Sequence, residues 1–564
     1  MVLAADDSLR LDANIVDYTL VAAYFAVVLL IGFAARRRVS DSLDFFLSGR
    51  SLPAWVTGLA FISANLGAVE IIGMSANGAQ YGMATFHYFW IGAVPAMLFL
   101  GIVMMPFYYG SKVRSVPEFM RRRFGTGAHL VNAISFAVAQ VLIAGINLFL
   151  LATIVNALLG WPLWVSLIVA AAVVLSYITL GGLSAAIYNE VLQFFVIVAA
   201  LLPLTLIGLH RVGGVGGLID SIREAGYEND LSSWPGSDLS SIDNPVLSVI
   251  GIVFGLGFVL SFGYWTTNFV EVQRAMATKN MSAARSTPII GSFPKMFIPF
   301  IVIVPGMIAS VLVSEVAEAK ATEGSFDYND SILLLIRDVL PNGLLGVAIA
   351  GLLASFMAGM AANISAFNTV FSYDLWQQYV KKDRSDGYYL GVGRVATVLA
   401  TVIAIFTAII ASGYSNLMDY LQTLFGFFNA PLFATFILGM FWKRMTPTAG
   451  WAGLVSGTLG AVLVAVLSED NLGGLSVGVL PISGQGASFV AASTAFVLDI
   501  VVSVAVSLVT RPKPVAELAG LVYSETPKEV RTDPDAHRLP WYQSPTKLAG
   551  IALVMVVILN VVFR

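Results

Sequence analysis

Glu70 is a carboxylate in an apolar run that glycine interrupts, Leu59-Ala-Phe-Ile-Ser-Ala-Asn-Leu-Gly-Ala-Val-Glu-Ile-Ile-Gly-Met74. Other polar side chains stand in similar surroundings: Asn65 in the same run, Lys295 in Phe293-Pro-Lys-Met-Phe297, Gln422 in Asp419-Tyr-Leu-Gln-Thr423, and His87 in Thr85-Phe-His-Tyr-Phe-Trp90. A charge at the centre of a bilayer costs about 2.5 to 3.5 kcal/mol even on the lenient insertion scale, so a chain that keeps one lines a polar path with it or pairs it with a base. The chemistry on offer is recognition. An ammonium and an amide donate to hydroxyl or carboxylate oxygens, while an aromatic face such as Tyr264 covers a sugar ring or acts as a gate. Each group also has a structural role open to it. Asn65 can satisfy unwound backbone, Lys295 can pair with Glu70 or a carbonyl, and Tyr264 can simply pack at an interface. His87 either shuttles protons or serves as a hydrogen-bonded structural histidine.

The elements that must position these groups are membrane spans. With 564 residues, 57% hydrophobic side chains, 12% charge and a mean hydropathy of +0.82, the chain carries more apolar surface than a water-soluble globule can hide. A net charge of −3 without a basic stripe excludes nucleic-acid binding. Cysteine is absent, which excludes disulfides, thiolate metal sites and cysteine nucleophiles. The 4 histidines, at 87, 129, 210 and 537, are too scattered to suggest an enzyme active site. Met1 to Asn14 has no basic n-region, so the first apolar stretch reads as a retained span rather than a signal peptide.

At about 20 residues per span, about fourteen helices are expected, beginning near Ile15, Leu52, Met83, Leu130, Leu163, Val191, Val246, Ile289, Leu344, Leu390, Leu417, Trp451, Ser488 and Thr546. Basic loops alternate with neutral or acidic ones. Arg36 to Arg38, Lys112 to Arg123, Arg274 to Arg285, Lys381 to Arg394, Lys443 with Arg444, and Arg511 to Lys547 fall on one side. Asn77 to Gly82, Gly213 to Asn244, Ser314 to Asp338 and Ser468 to Gln485 fall on the other. This ladder predicts an even number of spans with both termini outside, and reads Arg121-Arg-Arg123, Arg274 and Lys443-Arg444 as anchors at cytoplasmic helix ends. Gly181-Gly182 is expected to end one span in a tight turn, with Asn189-Glu190 opening the next helix. Glycines interrupt the helix from Leu52 (Gly67, Gly73) and the helix from Val246 (Gly251, Gly255, Gly257, Gly263). Interrupted helices in corresponding positions of two halves point to a midplane binding site, because unwound backbone frees carbonyls and half-helix ends. Close packing is the other use of such glycines.

At these residues the sequence resembles a known family. The run Asp44-Phe-Phe-Leu-Ser-Gly-Arg-Ser-Leu-Pro53, with Ser63-Ala-Asn65 and Gly73-Met74, looks like the opening of the sodium/solute symporter family, close to its sugar-transporting members. Ser115-Val-Pro-Glu-Phe119, Arg123-Phe124, Gly181-Gly-Leu-Ser-Ala185, Gln273-Arg274, Phe371-Ser-Tyr-Asp374 and Gly439-Met-Phe-Trp-Lys-Arg444 follow in order, so the resemblance runs from about Asp17 to about Gly453. It implies an all-α polytopic membrane protein, a five-plus-five inverted repeat with two discontinuous helices and extra helices at the ends. The expected division is an extra helix and loop at 15–50, a first repeat at 51–211, a second at 246–442, and extra helices at 446–564.

The resemblance also places a site. Asn65, Glu70, Tyr264, Lys295 and Gln422 match solute positions of the sugar carriers. The chain departs from them at Glu70, where they have an amide, at Phe89, where they have an acid, and at Ile143 and Ser261, where they have polar groups. An acid gained and several hydroxyl-reading groups lost suggest an amine-bearing or zwitterionic solute as the alternative to a sugar. Sodium in the family is held by carbonyls at the first broken helix and by a serine pair on a later one. Here those positions are Ser63 and Leu66 on one side, Ser355, Ala358 and Gly359 on the other, so the paired hydroxyls are missing. A proton on Glu70, with or without His87, is the natural substitute. Glu190 stands where the family often has a carboxylate linked to cation release; helix capping is its other role.

The expectation is therefore a multi-pass plasma-membrane secondary transporter, not an enzyme, that moves a small polar solute by alternating access. Its coupling ion would be sodium, with no other cofactor and no obligatory protein partner. A proton-coupled or uncoupled carrier of an amino-acid-like or carboxylate solute, and a membrane sensor module, are the alternatives.

Overall fold

The computed structural model describes residues 10–36, 46, 48–111, 113, 115–234, 245–322, 326–414, 416–469, 475–534, 536 and 539–563. Arg37, Arg38, Asp44, Phe45, Leu47, Lys112 and His537, and parts of the loops at 235–244, 323–325 and 470–474, lie outside the described residues.

Among the described residues the backbone is helical, with no strand beyond the isolated bridges Leu52 to Thr278 and Ser468 to Leu480. In lipid every backbone polar group must find its partner within the protein, and helices achieve that locally. Twelve helices are long and apolar enough to cross a membrane, or 13 if the pair Ala54–Asn65 and Val69–Phe86, bent by 63°, counts as one span. The expected count of about fourteen is thus not reached on length alone. The shortfall is at Leu163, where the apolar helix Leu163–Ser176 is shorter than the roughly 20 residues a span requires.

That helix opens a longer one, Leu163–Arg211, of 49 residues, whose helical pattern continues through Gly181-Gly182. A straight helix of this length would hold its ends about 70 Å apart. They lie instead on one face of the molecule. Leu158 O, just before its start, accepts from Tyr18 Oη at 3.1 Å, Asp17 Oδ1 accepts from Gly343 N at 2.7 Å, and Arg211 Nη1 donates to Asp338 O at 2.7 Å. Midway, Ser184 Oγ lies 2.6 Å from Ser48 Oγ. The chain therefore reverses within this segment, with helical turns running up to the reversal from both sides.

The first discontinuity falls where the glycines predict it. The helix Ala54–Asn65 stops at Leu66 (ψ 48°), and a wide-turn helix resumes at Val69–Gly73. The second does not. Gly251, Gly255 and Gly257 lie inside a continuous wide-turn helix, Gly251–Ser261, followed by Phe262–Thr267; the break comes at Asn268, which is extended (ψ 117°). Asn268 Oδ1 accepts from Val270 N at 3.0 Å and so caps the next helix, Phe269–Met276. The glycines serve contact instead. A Cβ at Gly257 would meet Ile91 Cγ2 at 2.8 Å, and one at Gly263 would meet Asn429 O at 3.1 Å.

Basic loops gather on one face, as the ladder predicts. Arg50 Nη2 donates to Val113 O at 3.0 Å, Arg122 Nη1 to Ser111 O at 3.0 Å, Lys513 Nζ to Arg122 O at 2.9 Å and Arg444 Nη2 to Leu508 O at 3.2 Å. Two of the arginines expected to be anchors are not at the surface at all. Arg123 and Arg274 are both fully buried: Arg123 donates to Gly439 O at 3.0 Å, and Arg274 pairs with Glu190 at 2.5 Å. Each thereby ties distant helices together, a guanidinium's rigid fork suiting buried pairing.

Candidate functional site

The two discontinuities face one cavity, lined by both broken helices and by further spans. Its wall takes Asn65, Gly67 and Glu70 from the first broken helix, Ser261, Tyr264 and Asn268 from the second, Lys295 from Met281–Phe297, and Gln422 and Phe425 from Leu417–Phe441. All five expected solute residues, Asn65, Glu70, Tyr264, Lys295 and Gln422, thus meet in one place.

They are joined by a chain of hydrogen bonds. Lys295 Nζ lies 2.5 Å from Glu70 Oε1 and also donates to Asn65 Oδ1. Asn65 Nδ2 donates to Tyr264 Oη at 3.0 Å, and Tyr264 Oη donates to Glu271 Oε1 at 2.7 Å. The ammonium also sits 4.6 Å from the Phe89 ring and 5.4 Å from the Trp265 ring. Phe89, the position of an expected missing acid, is therefore a wall of the lysine's seat. The pair carries no net charge. Two acceptors remain open: Glu70 Oε2 has no hydrogen bond among the described residues, and Gln422 Oε1 is buried without one. Tyr264 packs on Phe425, ring centroids 4.7 Å apart, so an aromatic lid closes one side.

The two other residues named for coupling lie elsewhere. His87 is fully buried, its Nε2 bonded to Ser233 O and its ring 4.1 Å from that of Trp234. It does not join Glu70, so the structure gives the expected proton relay no second member. Glu190 is held by Arg274, which is one turn from Glu271 on the same short helix.

Comparison with known proteins fits this geometry. The Sodium:solute symporter family profile matches residues 45–457. The chain belongs to that family. It is 29% identical over 461 residues to the sodium/glucose cotransporter of Vibrio parahaemolyticus, spanning 78% of this chain and 84% of that protein. It is 30% identical over 487 residues to human sodium/glucose cotransporter 4, spanning 82% and 70%. Among solved structures, a substrate-bound, outward-open Na+-coupled sialic acid symporter superposes with a TM-score of 0.72 at 18% identity, covering 88% of this chain and 99% of that one. The symporter is thus a sodium-coupled solute carrier with the inverted-repeat fold of such proteins.

The symporter's expected sodium positions are only partly assembled. Ser355 Oγ donates to Leu66 O across the first break, and both are buried. Ser63 is buried and its hydroxyl has no partner among the described residues. Ala358 is buried, and Gly359 packs against Gly67, with which it leaves no room for a side chain. The sequence reading did not single out Asn268, Glu271, Trp265 or Asn147, all polar or aromatic groups at this site. The signal available was Glu271 in Asn268-Phe-Val-Glu271, an acid just past the second break, and Asn147 alone in an apolar span.

Proposed function

We propose that the symporter carries a neutral, polyhydroxylated, sugar-like solute inward across the plasma membrane with sodium, binding it between Gln422, Glu70 and the aromatic lid of Tyr264. The observation that carries this reading is the Glu70–Lys295 pair. Taken alone, Glu70 suggests a site for an amine; paired, its own charge is offset by the Lys295 ammonium. The cavity offers unpartnered acceptors, Glu70 Oε2 and Gln422 Oε1, beside the N–H donors of the Gln422 amide, a mixed set that suits hydroxyl groups, which both donate and accept. The sodium/glucose cotransporters among its relatives support the same solute class.

Uptake of a solute panel into proteoliposomes under separately imposed sodium and pH gradients tests this. Sodium-driven accumulation of hexoses or polyols, with amino acids ineffective, is the expected result. Accumulation of zwitterions in preference to neutral sugars would overturn the solute class, and uptake driven by pH alone would overturn the coupling. The basic face is read as cytoplasmic, which places both termini outside.

A further inference from the structure

Asn147 lies in Ala144-Gly-Ile-Asn-Leu148, the only polar side chain of that stretch, on the helix Thr126–Leu159. It is 3% exposed and reaches the break of the first discontinuous helix. Ala68 N donates to its Oδ1 at 2.9 Å, and its Nδ2 donates to Ile143 O at 3.1 Å. These two bonds fix which end of the amide is oxygen, since only an acceptor can face an N–H. One lone pair of that oxygen is used, and the other is open.

Glycines make the space around it. A Cβ on Gly359 would stand 2.4 Å from Asn147 Oδ1 and 3.0 Å from Gly67 Cα; one on Gly67 would stand 2.9 Å from the same oxygen. The amide oxygen therefore fills the place that a side chain at 359 would take. One turn before Gly359, the Ser355 hydroxyl meets Leu66 O, and one turn before Leu66 the Ser63 hydroxyl is buried without a partner. Neutral oxygens from separate helices converge around one unwound turn.

We propose that Asn147 Oδ1 is a ligand of the coupling sodium ion in this chain, substituting for a hydroxyl that position 359 lacks. The inference rests on the sodium-symport reading. Hard cations take oxygen ligands, neutral amide and backbone carbonyls among them. An amide from a neighbouring helix supplies one here without lengthening the side chain at the break. Its structural alternative is a cap alone, the oxygen serving only Ala68 N–H.

Thermal unfolding of the purified protein in sodium chloride against choline chloride, at equal ionic strength and without solute, separates the two. Sodium binding to the folded state raises the wild-type Tm. Asn147→Asp keeps the acceptor and adds charge, so its response should equal or exceed the wild type's. Asn147→Ala, and Gly359→Ala, whose Cβ displaces the oxygen, should need at least about ten-fold more sodium for the same rise. Asn147→Ala combined with Gly359→Ser, which returns a hydroxyl to the vacated space, should recover part of the response. A wild-type sodium response in Asn147→Ala overturns the ligand role while leaving symport intact. If Asn147→Ala does not fold, an unchanged response in Gly359→Ala overturns that role equally. A wild type indifferent to sodium both in unfolding and in uptake overturns the symport reading and, with it, this ligand.

Discussion

At the scale of residues, the site turns on whether Glu70 and Lys295 act as one neutral unit. Lys295 Nζ is 2.5 Å from the Glu70 carboxylate with only 2% of its side chain exposed. Breaking a buried pair from one side costs about 3 to 5 kcal/mol, because the remaining charge is stranded. Lys295→Ala should therefore lower the Tm more than Lys295→Ala combined with Glu70→Gln, and equal losses in the two would show that the pair is not coupled. Glu70→Gln alone removes the ammonium's direct ion-pair partner, so neutral solutes should lose ground to carboxylate-bearing ones. A shift of roughly ten-fold in competition assays is expected from a charge-assisted hydrogen bond worth about 1.5 to 3 kcal/mol. Gln422→Leu should leave folding intact and weaken solute affinity by roughly ten-fold, measured as half-saturating solute concentration. Polar side chains in apolar spans are costly enough to be conspicuous in the sequence, and the five that the resemblance singled out, Asn65, Glu70, Tyr264, Lys295 and Gln422, line one cavity, whereas Asn268, Trp265 and Asn147 in the same lining were passed over. Pairing of Lys295 with Glu70 stood as one of two partners open to the lysine, and with 225 positions between the two residues nothing local in either stretch chooses it over a carbonyl; Arg123 and Arg274 likewise look like surface anchors until their carbonyl and carboxylate partners are in view.

At the scale of elements, glycine marked both discontinuous helices but located only one break. Gly67 stands at the first break, whereas in the second helix an asparagine, able to cap the restart with its own side chain, ends the preceding turn. Glycine spacing reports close approach as readily as unwinding, and only tertiary contacts tell the two apart. Gly306 shows the packing use clearly. A Cβ there would lie 1.9 Å from Ser75 O, a backbone atom that cannot rotate aside, on the helix Met74–Tyr81 that continues the first broken span. Gly306→Ala should push Pro299–Leu312 off that helix and destabilise the protein by about 1 to 3 kcal/mol or more. Detergent-solubilised Tm would fall by several degrees; an unchanged Tm would mean that the two helices are not in such contact.

At the scale of the whole molecule, the alternation of basic and acidic loops predicted a two-faced protein, and contacts of Lys513 with Arg122 O and of Lys443 with Glu525 bring three of the basic loops together. A boundary between two spans inside Leu163–Arg211 was legible in the sequence, but helical turns run on through Gly181-Gly182 and Asn189-Glu190, so neither the tight turn nor the helix start expected at those residues is seen. Because the chain has no cysteine, single-cysteine labelling reads the orientation cleanly. In right-side-out vesicles an impermeant maleimide should modify Glu318→Cys and spare Lys382→Cys, both positions being exposed. The reverse pattern would invert the whole assignment.

The neutrality of the Glu70–Lys295 pair has an electrical consequence. Because its two charges offset each other, the pair itself contributes nothing to the work of turning the empty carrier through the membrane field, and what it leaves to drive accumulation is the charge of the sodium. One elementary charge crossing 100 mV releases about 2.3 kcal/mol, enough for roughly fifty-fold accumulation of a neutral solute per sodium carried. The voltage dependence of current relaxations in the solute-free protein should accordingly change in Lys295→Met, where the Glu70 carboxylate would ride the same transition unbalanced, and should stay as in the wild type when Glu70→Gln is added to that variant; an unchanged slope in Lys295→Met would show that the pair does not move through the field.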